Sequence, residues 1–459
     1  MPLPAPVGTR RRKFYGSYVA SDTSGPTSSP NDPHTATKSS QIESWKRQLT
    51  SRIVRPLSGV RVLDLSRIVA GPTCCFWLAS LGAEVLRIEA PGGDVSWQTR
   101  PFIGPAGESD TQLTDRDIAM SPLRKARGKR SLVLDLRTPG GCEVLGRLVD
   151  ISDVLIENFK PGTLARLGFD AGALEARNPR LIYATITGYG HDGPYRDKPA
   201  MDPIVQAMSG LMAKTGFPDG PPTRVGATVG DQLPGMWAAL GVLAALRQRD
   251  LDGRGQVIDV AMIDAMLALL WDEPIDQYED MGMPERIGNG DPRGAPFDTF
   301  RTSDGWVALA APANTQWVKL APLLGGPALD EKWHDHQTRA RERVELNELV
   351  SACTTARTSQ DVVREVEALG VPVSAVNPPW WGRYDPHVAH RGSLERLRHP
   401  DLDEPTGYLG TMLPIRFSRA EITTTPAEPL GASTEAVLHD LLGYDTTEIE
   451  ALRAAGAFG

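Results

Sequence analysis

Between Leu57 and Gly190 the sequence alternates, several times over, between short aliphatic or β-branched runs and segments of helix length. "VRVLDL" and "EVLRIE" flank a helix-length stretch, "RSLVLDL" precedes "PGGCEVLGRLVDIS", "DVLIENF" precedes "PGTLARLGF", and "RLIYATITGYG" closes the series on glycines. Strands alternating with crossover helices pair in parallel and are covered on both faces. The predicted fold class is therefore α/β, a Rossmann-like, doubly wound parallel sheet whose ligand sites lie at the carboxyl ends of the strands. Ala70, Gly71 and Pro72 stand where a G-x-G-x-x-G fingerprint would follow the first strand, which argues against a nicotinamide-dependent dehydrogenase.

The rest of the chain divides by texture. Residues 1–50, rich in Ser, Thr and Pro, read as a disordered tail, and 51–270 as the first part of a large domain. A Gly- and Pro-rich linker covers 271–300, a smaller α+β domain 301–378, and 379–459 return to the large domain. Two helices close the chain, the second capped at Thr446 or Thr447. Asp385, His387 and His390 have metal-ligand types, but without helical period they read as a loop.

Composition removes several classes of function. With 459 residues, 41% of them hydrophobic, the chain can bury a full core, and a net charge of −8 argues against a nucleic-acid partner. No stretch reads as a membrane span, and no apolar region follows the early arginines as an export signal would require. The four cysteines lack Cys-x-x-Cys spacing and read as reduced thiols of a cytoplasmic protein, with no metal site.

"VGDQLPGMWAALGVLAALRQR", Val229 to Arg249, places one carboxylate, Asp231, at the start of a long apolar helix. Taken alone it is either a helix cap or a reactive group. As a nucleophile it would have to be desolvated and held near a carbonyl, and backbone N–H groups of the helix start could bind developing oxyanions. The helix dipole would favour its ionised form at neutral pH.

The blocks "GVRVLDLSRIVAGP", "LGAEVLRIEAPGGD", "GKRSLVLDLRTPGG", "DVLIENFKPG", "TITGYGHDGPY", "VGDQLPGM" and "GRGQVIDVAMIDA", in this order and spacing, resemble the family III CoA-transferases. That family includes formyl-CoA and carnitine CoA-transferases and shares its fold with α-methylacyl-CoA racemase. The resemblance implies an enzyme of the EC 2.8.3 type in which Asp231 attacks the donor thioester to give an acyl-aspartyl anhydride. Released CoA thiolate then forms an aspartyl-CoA thioester, which the acceptor acid displaces. It further implies that CoA or acyl-CoA enters as substrate with no tightly bound cofactor. Its adenine slot would involve Leu134, Arg137, Asn158 and Phe159, and Arg166 would take a phosphate; Lys129 and Arg130 are further candidates. The family's architecture implies an interlaced homodimer.

The chain departs from its relatives in places. Val69 and Ala90 stand where formyl-CoA transferase carries glutamine and arginine, and Gly288, Gly290 and Gly294 are too scattered to reproduce its glycine lid. These differences argue against an oxalate-like acceptor. The racemases pair the aspartate with a histidine; Met201 occupies that place, beside Asp202, and His191 is either a distant substitute or a plain loop histidine. A thioether moves no proton, which favours transfer, while a racemase or an intramolecular CoA shift remains the alternative. Arg67, Arg224 and Arg293 are candidates to receive a second carboxylate, or are surface charges.

Overall fold

The computed structural model describes residues 55–458, so the expected tail over 1–50 lies outside the described residues. Six strands form the principal sheet: Arg61–Asp64 (β1), Glu84–Glu89 (β2), Lys129–Val133 (β3), Val154–Glu157 (β4), Ile182–Thr187 (β5) and Val257–Ala261 (β6). Their order is β3-β2-β1-β4-β5-β6 and every pair is parallel, as the alternation predicts. The chain winds outward from β1 to β3, then restarts at β4 on the other side. The topological switch point therefore falls between β1 and β4, where doubly wound sheets open a crevice.

Alternate side chains of these strands feed two cores. On one face Val62, Val85, Ile156 and Ala184 pack under helices Ala70–Ser80 (α1), Val229–Asp252 (α2) and Met262–Leu270 (α3). On the other, Leu63, Leu86, Leu155 and Tyr183 meet Val144, Leu145 and Leu148 of the helix Pro139–Asp150, together with Val437, Leu438 and Ile449 from the last two helices of the chain. Helix α1 is apolar all round and buried along nearly its whole length, as a helix between sheet and helix must be. Helix α2 has 24 residues and the length and apolarity to cross a bilayer, but it packs on α1, β5 and α3 as a core helix. Gly235 permits that closeness: a Cβ there would meet the Ala70 carbonyl oxygen at 2.5 Å.

A second, antiparallel sheet of Phe297–Arg301, Trp306–Ala310 and Val373–Ala375 is backed by buried Trp317, Trp333 and Leu346. Its first strand begins inside the stretch read as linker, which also holds the helix Ile275–Asp280. Three local expectations are corrected. "PGTLARLGF" makes only the short 3-10 turn Ala165–Leu167, ended by Gly168 at φ 85°, and the regular helix Ala171–Arg177 follows it under an Asp170 cap. The last helix is capped by Asp445, not Thr446 or Thr447, in a reciprocal box with Glu448. Asp385 caps the helix Pro386–Arg391, which carries His387 and His390, and no metal-binding cluster exists among the described residues.

Candidate active site

A cavity of about 640 Å³ opens at the carboxyl ends of β1, β2, β3 and β4. Its wall is built by the turns that leave those strands. After β4, the Asn158 side chain accepts the Arg67 N–H at 2.7 Å and donates to the Arg67 carbonyl at 2.9 Å, tying together the loops that flank the switch point. After β2, Asp94 accepts the Ile68 N–H at 2.9 Å. Ile68 thereby sits at φ 64°, a left-handed conformation that costs a β-branched residue about 1–3 kcal/mol. Strain of this kind is kept where the surroundings fix it, here at the lip between the cavity and helix α1.

The cavity pairs apolar and cationic lining. Leu134 and Phe159 supply flat apolar surface, and the Arg67 guanidinium lies over the Phe159 ring, 4.9 Å from its centroid. Arg137 and Arg166 lie on its wall: Arg137 forms a two-point pair with Asp135 at 2.8 and 2.7 Å, and Arg166 donates to Thr163 at 3.2 Å. Such a wall suits a ligand with an aromatic base and phosphates. Four of the five binding residues singled out from sequence, Leu134, Arg137, Phe159 and Arg166, thus line one cavity. The side chain of Asn158 is instead engaged with Arg67. Lys129 is buried on Asp64 at 2.7 Å and on the Pro72 carbonyl at 3.0 Å, and Arg130 reaches Glu84 and Ser433, so both lie outside the cavity lining.

Asp231 lies in the first turn of α2, but the boundary residue is Thr228, and the aspartate makes no capping hydrogen bond. The cap reading is therefore wrong. So is the expectation that N–H groups at the helix start are available to an oxyanion. Gly230 donates to Asp202 at 2.8 Å, and Asp231 and Gln232 donate to the Thr228 carbonyl at 3.1 and 2.9 Å. Gly230 has no substitute, since a Cβ there would stand 2.7 Å from Val205 and 3.0 Å from the Asp202 carboxylate.

The half-buried Asp231 carboxylate accepts no hydrogen bond among the described residues. Burial pushes its carboxyl up to about 6, the neighbouring Asp202 carboxylate pushes the same way, and the Lys125 ammonium opposes both. At neutral pH it is ionised, as expected, yet it is held above rather than below the usual range: desolvation outweighs the helix dipole. Lys125 ends the helix Met120–Lys125 and is half-buried itself, with its ammonium lowered first by that burial.

The residue that sequence reasoning passed over is Asp202. Only 4% exposed at the start of the helix Asp202–Met208, it accepts N–H groups from Gly230 and from Gln206 at 2.9 Å, and pairs with Arg224 at 3.1 Å. Met201 beside it is 64% exposed, and His191 is held by its own N–H on Asp259.

A family model described as CoA-transferase family III matches residues 57–434. The chain belongs to this family. It is 37% identical over 412 residues to the succinyl-CoA–D-citramalate CoA-transferase of Chloroflexus aurantiacus, covering 88% of this chain and 98% of that one. It is 36% identical over 398 residues to the succinate–glutarate CoA-transferase of Agrobacterium fabrum, covering 85% and 97%. The crystal structure of a CAIB/BAIF family protein from Brucella suis superposes with a TM-score of 0.73 at 36% identity, covering 84% of this chain and 99% of that one. This family III CoA-transferase therefore moves CoA from an acyl-CoA donor to a carboxylic acid.

Proposed function

We propose that the enzyme exchanges CoA between two dicarboxylic acids, one of them succinate, through covalent intermediates on Asp231. The observation that carries the chemistry is a half-buried carboxylate, without a protein hydrogen bond and with its pKa raised to about 6, poised to act as a nucleophile. The activities by which the relatives are named, succinyl-CoA–D-citramalate and succinate–glutarate CoA transfer, support the dicarboxylate class.

In the first step an Asp231 oxygen attacks the thioester carbonyl and the C–S bond breaks, giving an acyl-aspartyl anhydride and CoA thiolate. The thiolate then attacks the aspartyl carbonyl and expels the donor acid as a carboxylate, leaving an aspartyl-CoA thioester. The acceptor carboxylate attacks that thioester, and the freed thiolate takes the acceptor's acyl carbon, so Asp231 is restored. The N–H groups of Gly230, Asp231 and Gln232 already have acceptors, and the Lys125 ammonium, whose charge opposes the rise of the Asp231 carboxyl, is assigned to the developing oxyanion. Leu134, Arg137, Phe159 and Arg166 hold the CoA nucleotide, and Asn158 holds the loop they share.

The same reading makes the working unit a homodimer. Met236, Trp237 and Leu240 on α2 and Ile204 and Met208 on the helix Asp202–Met208 packed against it are each 40–54% exposed, apolar side chains that a second subunit would cover. A cytoplasmic site, where acyl-CoA thioesters are made, accords with four free cysteines. The test is a panel of acyl-CoA donors against mono- and dicarboxylic acids, read by mass spectrometry. Transfer between diacids is expected, whereas turnover of one acyl-CoA without any second acid would establish the intramolecular alternative.

A further inference from the structure

The three arginines that the sequence offers to a second carboxylate stand in different surroundings. Arg293 is occupied: Nε and Nη2 donate to the two Asp291 oxygens at 3.0 and 2.9 Å, and Nη2 also reaches Glu273 at 3.4 Å. Arg67 lies over Phe159 in the nucleotide cavity. Arg224 alone is tied to the start of helix α2. Its Nη1 donates to one oxygen of Asp202 at 3.1 Å, and the other oxygen of that carboxylate accepts the Gly230 N–H at 2.8 Å. Its chain neighbour Val225 is pinned by its N–H to the Gln206 side chain at 3.0 Å.

One buried carboxylate therefore fixes both the residue before Asp231 and the guanidinium. Asp202 occupies only Nη1, so the edge formed by Nε and Nη2 has no acceptor among the described residues, and the side chain is 45% exposed. That edge is the part of a guanidinium that binds a carboxylate through two parallel hydrogen bonds. Between it and Gly230, the residue before Asp231, lie one carboxylate and two hydrogen bonds.

We propose that Arg224 receives the remote carboxylate of the diacid and so sets the enzyme's preference for dicarboxylic over monocarboxylic substrates. Lys125 has a different place. It ends the helix Met120–Lys125, and its charge opposes the rise of the Asp231 carboxyl. The inference rests on the dicarboxylate reading above, and the two can fail separately.

The experiment measures kcat/KM for succinyl-CoA against butyryl-CoA, and for succinate against butyrate as acceptors, in the unmodified protein, Arg224→Gln, Arg224→Lys and Lys125→Gln. A protein that prefers monoacids before any substitution refutes the dicarboxylate reading itself. Given a diacid preference, Arg224→Gln is expected to lower the diacid-to-monoacid ratio roughly 10- to 100-fold, the loss of a charged hydrogen-bonded pair. Arg224→Lys keeps a cation on Asp202 without the fork and should lower the ratio less, which gives a reading even if the glutamine variant folds poorly. An unchanged ratio in both Arg224 variants, or a fall confined to Lys125→Gln, would overturn the assignment.

Discussion

The cavity at the strand ends and the surroundings of Asp231 handle charge in opposite ways. In the cavity Arg137 is 84% exposed and already holds Asp135 in a two-point pair, so its charge is hydrated and ready to meet a phosphate. Around Asp231 the neighbouring Asp202 carboxylate is buried and the Lys125 ammonium half-buried. Exposed, paired cations lose little when a ligand arrives or leaves, which suits a carrier that must be released after each turnover. A desolvated carboxylate beside another one is raised in energy before the substrate arrives, which suits a nucleophile.

Substitutions on the two sides should therefore differ in kind. Asp231→Ala removes the proposed nucleophile and is expected to lower kcat by on the order of 10⁴-fold or more, with acyl-CoA binding retained. Asp202→Asn keeps an oxygen for the Gly230 N–H but removes the charge. It should lower kcat about 10- to 100-fold through misplacement of Asp231. It should also move the acidic limb of the pH–rate profile, expected near 6, to lower pH, because the like charge that helps to raise Asp231 is gone. A fall in rate with the limb unmoved would make Asp202 purely structural.

On the cavity side the effects should be smaller and should appear in KM. Arg166→Ala or Phe159→Ala is expected to raise KM for acyl-CoA roughly 10-fold at unchanged kcat, and rising salt should raise KM in the unmodified protein. A large change in kcat would show that the two regions are not separable. The last contrast is in stability. Asp231 binds its proton more tightly folded than unfolded, so between its ordinary value of 3.8 and about 6 the native state loses stability as pH rises, and the penalty persists at neutral pH. Asp231→Asn should therefore stabilise the protein at pH 7 by about 1–2 kcal/mol, the shift discounted for partial exposure, with no gain at pH 3. Denaturant titrations at the two pH values measure it.

The two regions also differed in how far the sequence revealed them. The four central strands were legible because they are buried and rich in aliphatic residues; Glu84–Glu89 matches "EVLRIE" residue for residue. The cavity residues were reached only through the family resemblance, and the structure places four of the five on one wall beyond the strand ends. The pocket of Asp231 was only half legible. Its aspartate stands out at the head of an apolar helix, but the cap belongs to Thr228, and Asp202 reaches Gly230 across 28 residues, a contact no local pattern encodes. Lys129 misled for the converse reason: a lysine on a strand reads as accessible until its partner, Asp64, is seen two strands away in the same sheet.

The central claim, that Asp231 carries CoA covalently, is tested most directly by trapping. The protein is incubated with succinyl-CoA, reduced with borohydride, digested and analysed by peptide mass spectrometry. A thioester or anhydride on Asp231 is reduced to the alcohol, so the peptide containing Val229 to Arg249 should carry homoserine at position 231, and only when acyl-CoA was present. An unmodified Asp231 in a protein that turns over, or an Asp231→Ala variant that still transfers CoA, would contradict it.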